Sequence, residues 1–103
     1  MLAAARKIAQ YTAALAFTDF AADPKTIDAV VRNLSIIGEA ARHIPDSVQA
    51  LSPSIPWAAI RGMRHRIIHE YAQVDVAVVW DTVMHDLPPM IPVLEDLLDR
   101  PIR

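Results

Sequence analysis

Apolar and polar positions along this chain repeat with helical rather than strand spacing. Ile27, Val30, Val31, Leu34, Ile37 and Ala41 recur three and four residues apart, the spacing that lines up one face of an α-helix. Asp23-Pro24 before them is a helix start, with Asp as N-cap and Pro at the first helical position. Pro45 closes the pattern, so a helix is predicted from Pro24 to about Ile44. Upstream, a first helix is expected from Leu2 to about Leu15, with Ile8, Tyr11 and Leu15 on its apolar side. No capping residue precedes it, which points to a natural beginning further upstream. Thr18-Asp19-Phe20 reads as a connecting turn, with Phe17 and Phe20 plugging the end of the core.

Downstream, a short turn over 46–51 leads into the proline-marked loop Ser52-Pro53-Ser54-Ile55-Pro56. One amphipathic helix is then predicted from Trp57 to Tyr71, with Ala58, Ile60, Met63, Ile67 and Ile68 interleaved among its polar residues. Asp75 caps another helix through Val76, Val79, Trp80, Val83 and Leu87. Pro88-Pro89 should break or bend it before a last apolar helix to about Asp99. Strand-like alternation is absent. The expectation is a single all-α domain over residues 1–103, a four-to-five-helix antiparallel up-and-down bundle with short links.

Composition narrows the picture. Hydrophobic residues make up 53% of the 103 residues, enough for a packed core and against disorder. The chain has no cysteine, so neither a disulfide framework nor a thiolate metal site is expected. The N-terminal residues do not have the order of a secretory signal, and no apolar run approaches the roughly 18 residues of a membrane span. A cytoplasmic location is the expectation. The net charge of −2 argues against a protein that coats nucleic acid non-specifically.

Charge is unevenly distributed, however. Arg61, Arg64, His65, Arg66 and His69 fall within nine residues, and Glu70 is the only acid between Pro56 and Tyr71. Grouping guanidinium and imidazole on a partly buried helix carries a desolvation penalty that a purely structural role does not need. An arginine offers a phosphate permanent charge and bidentate donors. A histidine kept near neutral by adjacent arginines is available as a base at pH 7. Together they suit transesterification at a phosphodiester with the 2′-hydroxyl of RNA as nucleophile. No metal or cofactor is expected, the acids being scattered.

On one straight helix, at about 100° per residue, His69 would point roughly 140° away from Arg64 while Tyr71 lies nearly in line with it. Either the long arginine stem swings round, or the cleft is shared by two copies across a dimer axis. The second pairs histidine and arginine reciprocally and is preferred. Plain readings stand beside these. A basic helix can be a solvated face, His69 a hydrogen-bonded structural residue, and Tyr71 a helix-end packing residue. His43 and His85 read as structural, and Trp57 and Trp80 as core or interface anchors. Glu39 pairs either with Arg64 or only with Arg42.

Pro56-Trp57, Gly62-Met63-Arg64, Ile68-His69-Glu70-Tyr71, Val74-Asp75 and Val79-Trp80, preceded by Asp28-Ala29-Val30 and Ile37-Gly38-Glu39-Ala40-Ala41, resemble the HepT-type branch of the HEPN superfamily. The resemblance runs from about Ala4 to Leu98 and centres on R-x₄-H-x-Y. It implies a HEPN-like homodimeric bundle, and a toxin of a toxin–antitoxin system that cuts RNA, possible targets being tRNA or mRNA, without metal. Arg64 and His69 would be its catalytic pair, with Arg61, His65, Arg66 and Glu39 supporting or binding RNA. It further implies a minimal nucleotidyltransferase (MNT, MntA-type) antitoxin as partner, able to transfer AMP from ATP to Tyr71. Negative charge placed there would block the cleft. The alternative is a non-catalytic dimeric subunit that presents nucleotide or substrate to the nucleotidyltransferase. Two features depart from the family: His65 stands where many relatives carry Asn or Asp, and the family's first helix usually starts earlier.

Overall fold

The computed structural model describes residues 1–68 and 73–99. Every regular element among them is helical: α1 (Leu2–Thr12), α2 (Phe17–Ala21), α3 (Pro24–Arg42), α4 (Asp46–Gln49), α5 (Trp57–Arg61), α6 (Met63–Ile67), α7 (Val76–Asp81), a π-helical turn (Thr82–Asp86) and α8 (Leu87–Asp99). The all-α expectation holds, with more and shorter pieces than the periodicity suggested. No helix among the described residues is long and apolar enough to cross a membrane.

The axis of the fold is α3. Asp23 caps it by accepting from the Thr26 N–H at 3.2 Å and the Thr26 hydroxyl at 2.6 Å. Those bonds favour the carboxylate and hold its pKa below the usual aspartate value, the hydroxyl being the main cause. Ile27, Val30, Leu34, Ile37 and Ala41 are all buried along one stripe. Asn33 is buried beside them and satisfies its amide by donating to the Ala29 carbonyl at 2.8 Å. Helix α3 packs against α1, which in turn packs on α8, and against α5 and α6. Gly38 sets the second contact, since a Cβ there would lie 3.1 Å from the Ile60 carbonyl oxygen.

Several boundaries differ from those predicted. Helix α1 ends at Thr12, not Leu15, because the chain turns through Ala14 in the left-handed region (φ 62°). Its buried stripe is Leu2, Ala5, Ile8 and Thr12, while Tyr11 is 41% exposed. Thr12 is tolerated inside because its hydroxyl donates to the Ile8 carbonyl at 2.9 Å. The presumed turn at 18–20 is the short helix α2, whose first turn is closed by Asp19 accepting from the Ala16 N–H at 2.9 Å. Phe20 is fully buried against Trp80 (ring centroids 5.1 Å apart), as a core plug should be. Phe17 instead stays on the rim, edge-on to Trp80.

The prolines at 88 and 89 do not break the last helix. They open α8 directly after the π-helical turn, in which the Leu87 N–H reaches the Thr82 carbonyl five residues back. Proline lacks the N–H that an α-helix would call for at those positions. The wider turn just before them lets the chain take both rings and continue without a break. Thr82, buried there, donates its hydroxyl to the Val78 carbonyl at 2.8 Å.

Candidate nucleic-acid interface

The predicted helix from Trp57 to Tyr71 is the main correction to the site's geometry. It is two five-residue helices, α5 and α6, separated by Gly62 (φ −89°, ψ 3°). The Gly62 N–H reaches the Ala58 carbonyl and the His65 N–H reaches the Gly62 carbonyl, both at 3.1 Å, so hydrogen bonding continues across the bend. Trp57, Ile60, Met63 and Ile67 are buried and fix the pieces to the core. Trp57 adds a bond from its indole N–H to the Ser52 carbonyl at 3.0 Å.

Helix α6 stops at Ile67. Ile68 is extended (φ −106°, ψ 115°) and forms an isolated antiparallel bridge with Val74, while the Asp75 N–H donates to the Ile67 carbonyl at 2.8 Å. Asp75 also caps α7, as expected, by accepting from the Val78 N–H at 3.1 Å. The roughly 140° between Arg64 and His69 presupposed one helix through both. That premise fails at Ile68. His69, Glu70 and Tyr71 lie outside the described residues.

Between its two buried anchors, α6 presents Arg64, His65 and Arg66, all exposed. None of the three forms an ion pair among the described residues. Glu39, the acid considered for Arg64, is turned to its own helix, 3.3 Å from His43 Nε2 and 3.9 Å from Arg42 Nε. Of the two pairings left open, the one within α3 is the one formed. Arg61, at the end of α5, is half-buried and donates through Nη1 to the Gln49 Oε1 at 3.1 Å.

Gln49 is the neighbour the sequence did not reveal. It sits in a four-residue helix far from the motif in sequence, where a polar residue carries no distinguishing spacing. His43 is the C-cap of α3, and His85 is held by Asp81 at 2.9 Å, both in line with structural roles. Among the described residues no cluster of three or more His, Cys, Asp or Glu is placed to hold a metal ion. The expectation of no metal site takes no account of His65 and His69, four residues apart, the spacing of a helical metal-ligand pair. Helix α6 ends at Ile67, between the two, and His69 lies outside the described residues.

What the arrangement offers is an exposed cationic surface, without ion pairs among the described residues, on a chain of net charge −2, the electrostatic footprint of a polyanion contact. Comparison with known proteins identifies the family. The profile of the family described as "Ribonuclease HepT-like" matches residues 1–97. "Probable ribonuclease HepT" of Thermococcus cleftensis is 46% identical over 83 residues, covering 81% of this chain and 76% of that protein. A protein named "Putative RNase" from Caldanaerobacter subterraneus subsp. tengcongensis is 35% identical over 86 residues, 84% of this chain and 77% of its own length. Another so named, from Methanocaldococcus jannaschii, is 31% identical over 93 residues, 90% and 77% of the two chains. No solved structure matches the chain significantly. The chain belongs to the HepT-like ribonuclease family.

Proposed function

We propose that this protein is a metal-independent endoribonuclease and the toxin of a toxin–antitoxin pair. The supporting observation is the exposed Arg64-His65-Arg66 surface of α6, without an ion pair among the described residues, in a chain of the HepT-like family. In this reading Arg64 holds the scissile phosphate by charge and paired donors, and His69 is the general base. His69 takes the proton of the 2′-hydroxyl as O2′ attacks phosphorus. The P–O5′ bond breaks, and the departing 5′-oxygen takes up a proton. The products are a 2′,3′-cyclic phosphate and a 5′-hydroxyl. Guanidinium charge beside the pentacoordinate phosphorane stabilises it more than the substrate, which is the condition for catalysis.

The same reading includes a homodimer, a cytoplasmic location and a nucleotidyltransferase antitoxin that attaches AMP to Tyr71. The added phosphate would compete with RNA for Arg64. The test is cleavage of RNA by the purified chain, with and without EDTA, beside Arg64→Ala and His69→Ala. Both variants should lose about 100-fold or more in rate, the size of effect seen when a catalytic base or charge-stabilising donor is removed. EDTA should leave the wild type unchanged. Undiminished cleavage by His69→Ala would end the proposal, and abolition by EDTA would end its metal-free form. A protein inactive in every condition that still binds the nucleotidyltransferase would be the non-catalytic subunit instead. Intact mass after co-expression with the antitoxin reads the modification directly, as AMP increments mapped to Tyr71.

A further inference from the structure

Arg61 differs from the other arginines whose partners are defined. Arg6 is paired with Glu95 at 3.1 Å and Arg42 with Glu39 at 3.9 Å, both on the exposed surface. Arg61 is half-buried, and its partner is a neutral amide, the Gln49 Oε1 at 3.1 Å. Gln49 is itself held, its Nε2 donating to the Ile44 carbonyl at 2.9 Å just past the end of α3. That second bond fixes the amide, because only one orientation lets its nitrogen meet a carbonyl while its oxygen meets a guanidinium. The end of α3, Gln49 and Arg61 thus form a short relay that orients a cation without cancelling its charge. A guanidinium drawn partly out of water, with no acid paired to it among the described residues, is poorly compensated by them. It has five N–H donors, of which Gln49 uses one. Arg61 precedes Arg64 by three residues on the same bent stretch.

We propose that Gln49 is a positioning residue that holds Arg61 ready as a phosphate contact for an RNA backbone lying across α5 and α6. The inference rests on the ribonuclease reading above and adds a second grip on the substrate, away from the scissile phosphate. The brace is neutral for a reason. A glutamate at 49 would neutralise Arg61 and lose the donor to the Ile44 carbonyl, whereas an amide keeps both bonds and leaves the charge for the ligand. Placement at the end of α5 has a competing explanation, since a cation is favoured at any helix C-terminus. The test must therefore read phosphate contacts and not stability.

The experiment measures binding of a 2′-O-methylated single-stranded RNA, which lacks the nucleophile and cannot be cut, over a series of KCl concentrations. Each phosphate contact contributes about 0.7 to the slope of log K against log salt for a single strand. Gln49→Glu, nearly identical in shape, exchanges the bond to the Ile44 carbonyl for an ion pair with Arg61; it should weaken binding several-fold and lower the slope by about 0.7. Arg61→Gln should do the same, and the double variant should add no further loss of slope. If Gln49→Glu does not fold, Arg61→Gln decides alone. Wild-type slope in both variants would make Arg61 a structural helix-end residue and overturn the inference, leaving the ribonuclease reading intact. No binding by the wild-type protein would instead overturn the ribonuclease reading and this inference with it.

Discussion

Helix α3 and the α5–α6 pair lie against one another yet are held in opposite ways. The first is nineteen residues long, capped by Asp23, opened by Pro24 and buried along a continuous stripe. Cap and length add to that burial. The pair consists of two five-residue pieces with no side-chain cap, far below the dozen or so residues at which an isolated helix becomes even marginal in water. They persist because Trp57, Ile60, Met63 and Ile67 are buried. The scaffold can therefore be damaged from inside with global consequences, while the outer face of α6 is free to be specified by function. A surface that contributes little to folding can carry unpaired arginines.

The sharpest way to break this comparison is to mutate both sides and measure both properties. Leu34 is fully buried in α3, and Leu34→Ala should destabilise the protein by about 3 kcal/mol in urea titration. Arg64 is exposed. Arg64→Ala should stay within about 0.5 kcal/mol of wild type, as surface substitutions do, while cleavage falls about 100-fold or more. A large loss of stability in Arg64→Ala would mean that α6 needs its cations to fold, and the division of labour would collapse.

The same contrast explains what was legible in the sequence. Helix α3 was readable because cap, proline and 3.6-residue periodicity all agree there. The all-helical class was readable from spacing and the run of cations from the residues themselves. That run was expected on a partly buried helix, whereas Arg64, His65 and Arg66 are exposed. The boundaries that went astray are those decided by long-range contacts. The bend at Gly62 and the end of α6 at Ile67 follow from packing on α3 and from the Ile68–Val74 bridge, none of which is encoded in local periodicity. The double proline reads as a breaker until the π-helical turn before it is seen. Thr12 on the buried face and Tyr11 off it reverse the hydropathy order, which a back-bond to the Ile8 carbonyl permits. Gln49 could not be found at all from sequence, because its role depends on where α4 meets Arg61.

Gly38→Ala sharpens the comparison at the seam between the two regions. Alanine in place of a mid-helix glycine is worth about 1 kcal/mol to α3. Here its Cβ would sit 3.1 Å from the Ile60 carbonyl oxygen, a backbone atom that has to move by a few tenths of an ångström. Overpacking of this kind costs about 1–3 kcal/mol, which outweighs the propensity gain over most of that range. The expected outcome is a net stability loss of about 1 kcal/mol with a larger proportional loss of cleavage, because it is α5, the less anchored partner, that yields. A stability gain of the full propensity value with unchanged cleavage would show that the seam has slack.

The smallest effect concerns the side-chain cap of α3. The Asp23 carboxylate accepts from both the hydroxyl and the N–H of Thr26, and its pKa lies below the usual 3.8. A depressed carboxylate contributes stability that is fully present above the unfolded value and is lost as pH falls through the folded one. Asp23→Asn keeps a good capping residue, but its amide nitrogen cannot accept the Thr26 hydroxyl and it carries no charge for the helix dipole. Wild type should therefore be the more stable at neutral pH, by a margin that stays flat down to the usual aspartate value and narrows below it. Urea midpoints of the two proteins across that window supply the measurement. A margin indifferent to pH would mean that the cap acts through shape alone. In that case α3 and the uncapped α5–α6 pair would differ in length and burial, but not in the electrostatics of their first turns.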